Sequence, residues 1–133
     1  MAYYRDLTPY EYAGAEPQLD ILNVGWLSCG QPLNTGFSDS SFVDALRRLV
    51  AHPTNLFRGQ HFCEFCPPPL VKRSERGTPI LDLKPGTYGN GEIRVRCDNG
   101  VTLVAPVLIL HYVIEHHYLP PRQFVDAVLR SIE

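Results

Sequence analysis

The sequence predicts an α+β fold, and three observations carry that expectation. The run GNGEIRVRCDNGVTLVAP has strand chemistry on both sides of Asp98, Asn99 and Gly100, a composition suited to the turn of a β-hairpin at about 91–105. Two stretches with helical spacing of apolar residues follow it, at about 106–117 and 121–131. A strand-rich middle followed by helices argues for a small antiparallel sheet with segregated helices rather than for a parallel α/β sheet.

Taken in order, the chain opens with an aromatic, proline-punctuated segment (Tyr3, Tyr4, Pro9, Tyr10, Tyr12), which with Trp26 suits a cover over a small core or the lining of a pocket. LDILNVGWL then reads as a buried strand or extended segment, and GQPLNTG as a loop. In SDSSFVDALRRLVAHP the apolar residues Phe42, Val43, Ala45, Leu46, Leu49 and Val50 recur at helical spacing behind candidate serine caps, so a helix is expected at about 40–51, ended by Pro53. NLFRGQHFCEFC reads as an extended segment entering a turn, and Pro67 to Gly77 as an exposed loop.

In the hairpin, Glu92, Arg94 and Arg96 share one face of a strand, and Ile93, Val95 and Cys97 share the other. The charged face is expected to be solvated; its functional alternative is anion recognition by Arg94 or Arg96. APVLILHYVIEHHYLPP follows as a helix with Pro106 in its first turn, where the missing N–H costs nothing, and stops at Leu119, Pro120 and Pro121. PRQFVDAVLRSIE closes the chain as a helix with Phe124, Val125, Val128, Leu129 and Ile132 on one face.

Its 133 residues suit a single domain, 1–133, with one core. Apolar residues make up 44% and charged residues 20%, close to the average for folded soluble chains. A net charge of -2 provides no global field for a polyanion. The local run VKRSER, with Lys72, Arg73 and Arg76, lacks interleaved aromatic residues for base stacking, so nucleic acid is not an expected partner. No apolar run approaches the ~20 residues needed to span a bilayer, and MAYYRDLTPYEY lacks a secretory signal's apolar core. A cytoplasmic location is expected, and with it reduced forms of Cys29, Cys63, Cys66 and Cys97.

The chemistry concentrates in GQHFCEFC. Cys63 and Cys66 have the C-x-x-C spacing that aims two thiolates of one turn at one ion, and on an extended segment His61 shares a face with Cys63. A structural zinc site needs four ligands, and the candidates for the fourth are His111, His116, His117 and Cys97. His111 and His116 lie about 140° apart around an ideal helix, so one helix is expected to supply only one of them. Glu115 follows His111 by one turn and can orient its imidazole.

Other chemistries fit less well. Thioredoxin-like redox work needs a helix starting at the cysteines, and the prolines at 67, 68 and 69 disfavour one. A zinc deaminase needs H-x-E before its cysteine pair, which is missing here. The glycines of TYGNGE lack the lysine and hydroxyl residue of a phosphate loop.

YRDLTPYEY, LNVGWL, GQHFCEFC, GNGEIRV and HYVIEHHYLPPRQFVDAV together resemble the motifs of a group of small uncharacterised bacterial proteins, over most of the chain. The resemblance implies that His61, Cys63, Cys66, His111 and His116 belong to motifs compatible with a zinc site. It implies no activity.

The expectation is therefore a small zinc-binding module whose metal is structural and whose partner is another protein. The enzyme alternative is a hydrolase-like site with an open zinc position and Glu115 or Glu64 as general base. The inhibitor alternative is an immunity-like protein that presents Asp39 and Asp44 to the basic site of a toxin.

Overall fold

The computed structural model describes residues 3–10, 18–54, 61–66, 70–82 and 88–131. In chain order the elements are β1 (Pro9–Tyr10), β2 (Gln18–Asn23), α1 (Ser40–Val50), β3 (His61–Phe62), β4 (Leu70–Arg73), β5 (Pro79–Asp82), β6 (Tyr88–Gly89), β7 (Glu92–Arg96), β8 (Thr102–Pro106), α2 (Ile109–His116) and α3 (Arg122–Ser131).

The expected hairpin is β7–β8, with Ile93 opposite Ala105 and Val95 opposite Leu103. Its turn closes through Gly100 N–H donating to Cys97 O at 3.1 Å, and Gly100 sits at φ +86, a conformation that glycine adopts without a Cβ penalty. The four-stranded sheet runs β1-β2-β8-β7 and is mixed rather than purely antiparallel. β2 pairs with β8 in parallel, Leu22 opposite Leu103, because the connection from β2 passes through α1 before the chain returns.

Pro106 ends β8 opposite Glu92 instead of opening a helix. The β2–β8 pairing stops at Asn23 and Val104, so nothing on that side asks Pro106 for an N–H. α2 therefore starts at Ile109. It ends where His117 takes a left-handed conformation, φ 55, and Tyr118 N–H reaches back to Tyr112 O at 3.1 Å, before the prolines are met. α1 starts from Asp39 rather than from a serine cap, without a side-chain cap bond.

One face of the sheet carries Ile93, Val95, Leu103 and Ala105 against Phe42, Ala45 and Leu46 of α1, Ile109, Tyr112 and Val113 of α2, and Phe124, Ala127 and Val128 of α3. Phe42 and Phe124 meet edge to face at 6.2 Å. Val125 and Leu129 are only partly buried, and Ile132 and Tyr12 lie outside the described residues. The opposite face is covered by the aromatic N-terminal segment: Tyr10, Trp26 and Val104 form a second small core with Tyr4 and Ile21, and Trp26 Nε1 donates to Val104 O at 3.0 Å.

That cover changes the reading of the charged strand face. Glu92 is completely buried; Arg94 donates to its Oε1 at 3.1 and 3.0 Å, and Tyr10 donates to its Oε2 at 3.3 Å. The Arg94 guanidinium also lies 5.2 Å from the centre of the Tyr10 ring. Arg94 is thus spent on an internal ion pair rather than on an outside anion, whereas Arg96 is exposed.

The segment expected as an exposed loop, Pro67 to Gly77, holds β4 and most of the turn of the β4–β5 hairpin, in which Val71 lies opposite Leu81. Its turn closes through Gly77 N–H to Ser74 O and Ser74 N–H to Thr78 O, both 2.9 Å, with Gly77 at φ +78. The short strands carry no apolar alternation long enough to announce themselves. Pro67, Pro68 and Pro69 lie outside the described residues. Among the described residues no helix is long and apolar enough to cross a membrane.

Candidate metal centre

Two pieces of chain build the site. The first leaves β3, places Cys63 in the interior and turns through Glu64 and Phe65 to Cys66. The second is α2, which supplies His111 near its start and His116 in its last turn. Cys63 Sγ lies 3.3 Å from His116 Nε2, and Cys66 Sγ lies 3.1 Å from His111 Nε2 and 3.4 Å from His116 Nε2. The two Nε2 atoms are 3.2 Å apart. All four atoms fall within 4.8 Å of one another, so Cys63, Cys66, His111 and His116 could hold one metal ion.

The three S–N separations and the N–N separation are close to those of a tetrahedron, while the whole set, within 4.8 Å, is more open than the about 3.8 Å between two sulfurs of an ideal zinc site. Zinc bonds of about 2.3 Å to sulfur and about 2.0 Å to nitrogen, at tetrahedral angles, put S and N about 3.5 Å apart and two nitrogens about 3.3 Å apart. The donor set of two thiolates and two imidazoles is the soft-to-borderline mixture that selects zinc over hard cations.

Both histidines of α2 converge, against the expectation that one helix supplies one ligand. Five residues of helix separate their Cα atoms by about 8.6 Å. Each ring uses its far nitrogen, Nε2, and swings toward the line between the two positions, so reach compensates for angle. The rings end edge to face with centres 4.9 Å apart.

Burial disfavours charge on the donor groups themselves. The Cys63 thiol is pushed up to about 11, first by burial and also by the neighbouring Cys66 thiol, against the backbone N–H groups of Phe65 and Cys66, which pull it down. The lowering influence of those two N–H groups would favour the thiolate once a positive charge offset its desolvation. Burial also lowers the pKa of His111, helped by repulsion from His116 and opposed by Glu115, so its ring is available as a neutral ligand at neutral pH.

The surroundings hold the turn against the helix. Phe65 packs edge to face on Tyr112 at 5.8 Å and lies 5.4 Å from the His116 ring. Tyr112 is fully buried beside the site, and its hydroxyl has no hydrogen-bond partner among the described residues. Ser28 donates to Glu64 Oε1 at 3.1 Å and ties the turn to the loop after β2.

This chain belongs to the family described as Domain of unknown function (DUF7919). The family match runs over residues 2–129, nearly the whole chain. No curated protein and no solved structure matches it. The motif-based expectation of a family of unassigned activity thus stands at family level, and the site's chemistry has to come from its own atoms.

The remaining candidates fall elsewhere. His61 lies in β3 opposite Gly89, and its side chain is outside the described residues. His117 is exposed at the left-handed cap of α2. Cys97 is partly buried on the α3 side, its sulfur 4.0 Å from Gln123 O. Cys29 is an exposed free thiol. Glu64 and Glu115 are both exposed, and Glu64 is engaged by Ser28. The contributions of Phe65 and Ser28 were not anticipated; the EF pair inside the C-x-x-C was the available signal for the former, and no local pattern marks the latter.

Proposed function

We propose that the protein is a small zinc-binding module in which a Cys2His2 site holds a structural zinc ion and the folded unit acts by binding another protein. The observation that carries the reading is the convergence of Cys63, Cys66, His111 and His116 within 4.8 Å. Four protein ligands complete a tetrahedron and leave no position for water or substrate, which favours a structural over a catalytic ion. Glu64, a candidate general base, is turned to Ser28, which also weighs against the hydrolase-like alternative. The zinc joins the β3 turn to α2, two pieces of chain with more than forty residues between them. A cytoplasmic location fits the four free thiols and belongs to the same proposal.

Elemental analysis of protein purified without added metal or chelator tests the reading. About one zinc per chain is expected. The Cys63→Ser variant should lose most of that zinc, with a fall in melting temperature. Folded, reduced wild type without bound metal, or a variant with undiminished zinc and unchanged melting temperature, would overturn it.

A further inference from the structure

On the side of α2 away from the candidate metal centre the surface is apolar and unusually open. Phe37 is 96% exposed, and beside it Ile114 is 38% exposed. Together with Val43, Asp44, Arg47 and His117 they border a groove of about 540 Å³ between α1 and α2. At 100° per residue, Val113 and Ile114 point about 130° to either side of the bisector of His111 and His116, and His117 about 170° from it.

Phe37 is held out on a pinned backbone. Residues 34 to 36 run antiparallel to 117–119: Leu119 N–H donates to Asn34 O, Gly36 N–H donates to His117 O, both at 2.9 Å, and Thr35 bridges Tyr118. Gly36 lies so close to Leu119 that a Cβ there would stand 2.9 Å from its Cδ2. An aromatic ring on such a support loses little conformational entropy when a partner covers it, the condition for a binding anchor.

The charges beside the groove identify the partner. Ser40, Val43, Asp44 and Arg47 form one stripe of α1, at spacings of three, four and seven, opposite the core face of Phe42, Ala45 and Leu46. Asp44 and Arg47 carry opposite charges one turn apart, and neither has an ion-pair partner among the described residues. A surface with one apolar knob, one apolar groove and one charge of each sign along a helix complements itself. Two copies of α1 packed antiparallel about a two-fold axis set each Asp44 against the other copy's Arg47, and the same register lays each Phe37 at the C-terminal end of the other copy's α1, opposite about residue 54.

We propose that this face is the interface of a homodimer, built around Phe37 and the reciprocal Asp44–Arg47 pairs. The dimer leaves the Cys2His2 site on the outside, so it goes beyond the zinc reading and does not depend on it. Both sites share α2.

Sedimentation velocity on the protein as purified, over micromolar concentrations, tests the proposal. Wild type should sediment as a dimer or a reversible monomer–dimer mixture. Phe37→Asp should shift it to monomer. Asp44→Arg and Arg47→Asp, each alone, should weaken self-association by about tenfold or more through like-charge contacts. An equimolar mixture of these two variants should recover the dimer, because each supplies what the other lacks. All three positions are exposed, and circular dichroism and zinc content should match wild type. Wild type that stays monomeric throughout, a dimer indifferent to Phe37→Asp, or a mixture no better associated than its components would each overturn the proposal.

Discussion

The body of the molecule buries Ile93, Val95, Leu103 and Ala105 of the β7–β8 hairpin under Phe42, Leu46, Tyr112, Phe124 and Val128 from three helices, all nearly or fully inaccessible to solvent. The β3–β6 pair that leads to the cysteines has two residues in each strand, one of which, Phe62, is 38% exposed. At about 1.5–3 kcal/mol for a fully buried apolar side chain, the body contains many times the hydrophobic stabilisation of the cysteine turn, which inserts little beyond Cys63 and Phe65. The difference separates two ways of ending chain entropy: close packing in one region, and convergence of four ligand atoms on one point in the other.

Removing the metal is the strongest way to break this comparison. On the zinc reading, chelation or Cys63→Ser frees residues 61 to 66 from α2, and hydrogen exchange there and in the last turn of α2 should accelerate by about a hundredfold. Amides paired between β7 and β8 should keep most of their protection. Loss of protection in step across both regions would show them to be one cooperative unit.

Phe124→Ala attacks the other region. Phe124 is fully buried against Phe42, and its truncation should cost about 3–5 kcal/mol in chemical denaturation. Zinc content per folded chain should not change. A drop in zinc content would mean that helix packing, rather than the ligand set, limits the site.

The pH profile is the subtlest comparison. In metal-free protein the raised Cys63 pKa means that the folded state holds its proton more tightly than the unfolded state, so stability should decline as pH rises from about 9 toward about 11. The lowered pKa of His111 has the opposite sense: its contribution is present above the ordinary imidazole value of 6.5 and lost as pH falls through the folded value. On the zinc reading a bound ion would hold Cys63 as the thiolate, so the alkaline decline should vanish in loaded protein, while acid should release the metal. Equal alkaline profiles with and without zinc, measured by thermal melts, would place Cys63 outside the coordination sphere.

Much of the body was legible in advance, because its signals are local. Asp98, Asn99 and Gly100 marked the hairpin turn, and the apolar spacings marked α1, α2 and α3 to within a few residues. The misses share a cause. Pro106 read as a helix opener because nothing nearby reveals that β2 stops pairing at Val104. Glu92 and Arg94 read as solvated because the cover over them comes from Tyr10, far away in sequence. Alternation along one strand shows which residues share a face, not what lies on that face.

At the candidate metal centre the same division holds. Residue type and the C-x-x-C spacing singled out Cys63 and Cys66, and composition supplied a short set of histidines. Which histidines close the set was decided by tertiary structure. The approach of the β3 turn to α2 fixes a point in space that both His111 and His116 reach through Nε2, and it leaves His117 exposed. Sequence determines which donors exist and their angular spacing on a helix; only packing places the point where they meet, because that point depends on the distance and tilt between two segments that are remote along the chain.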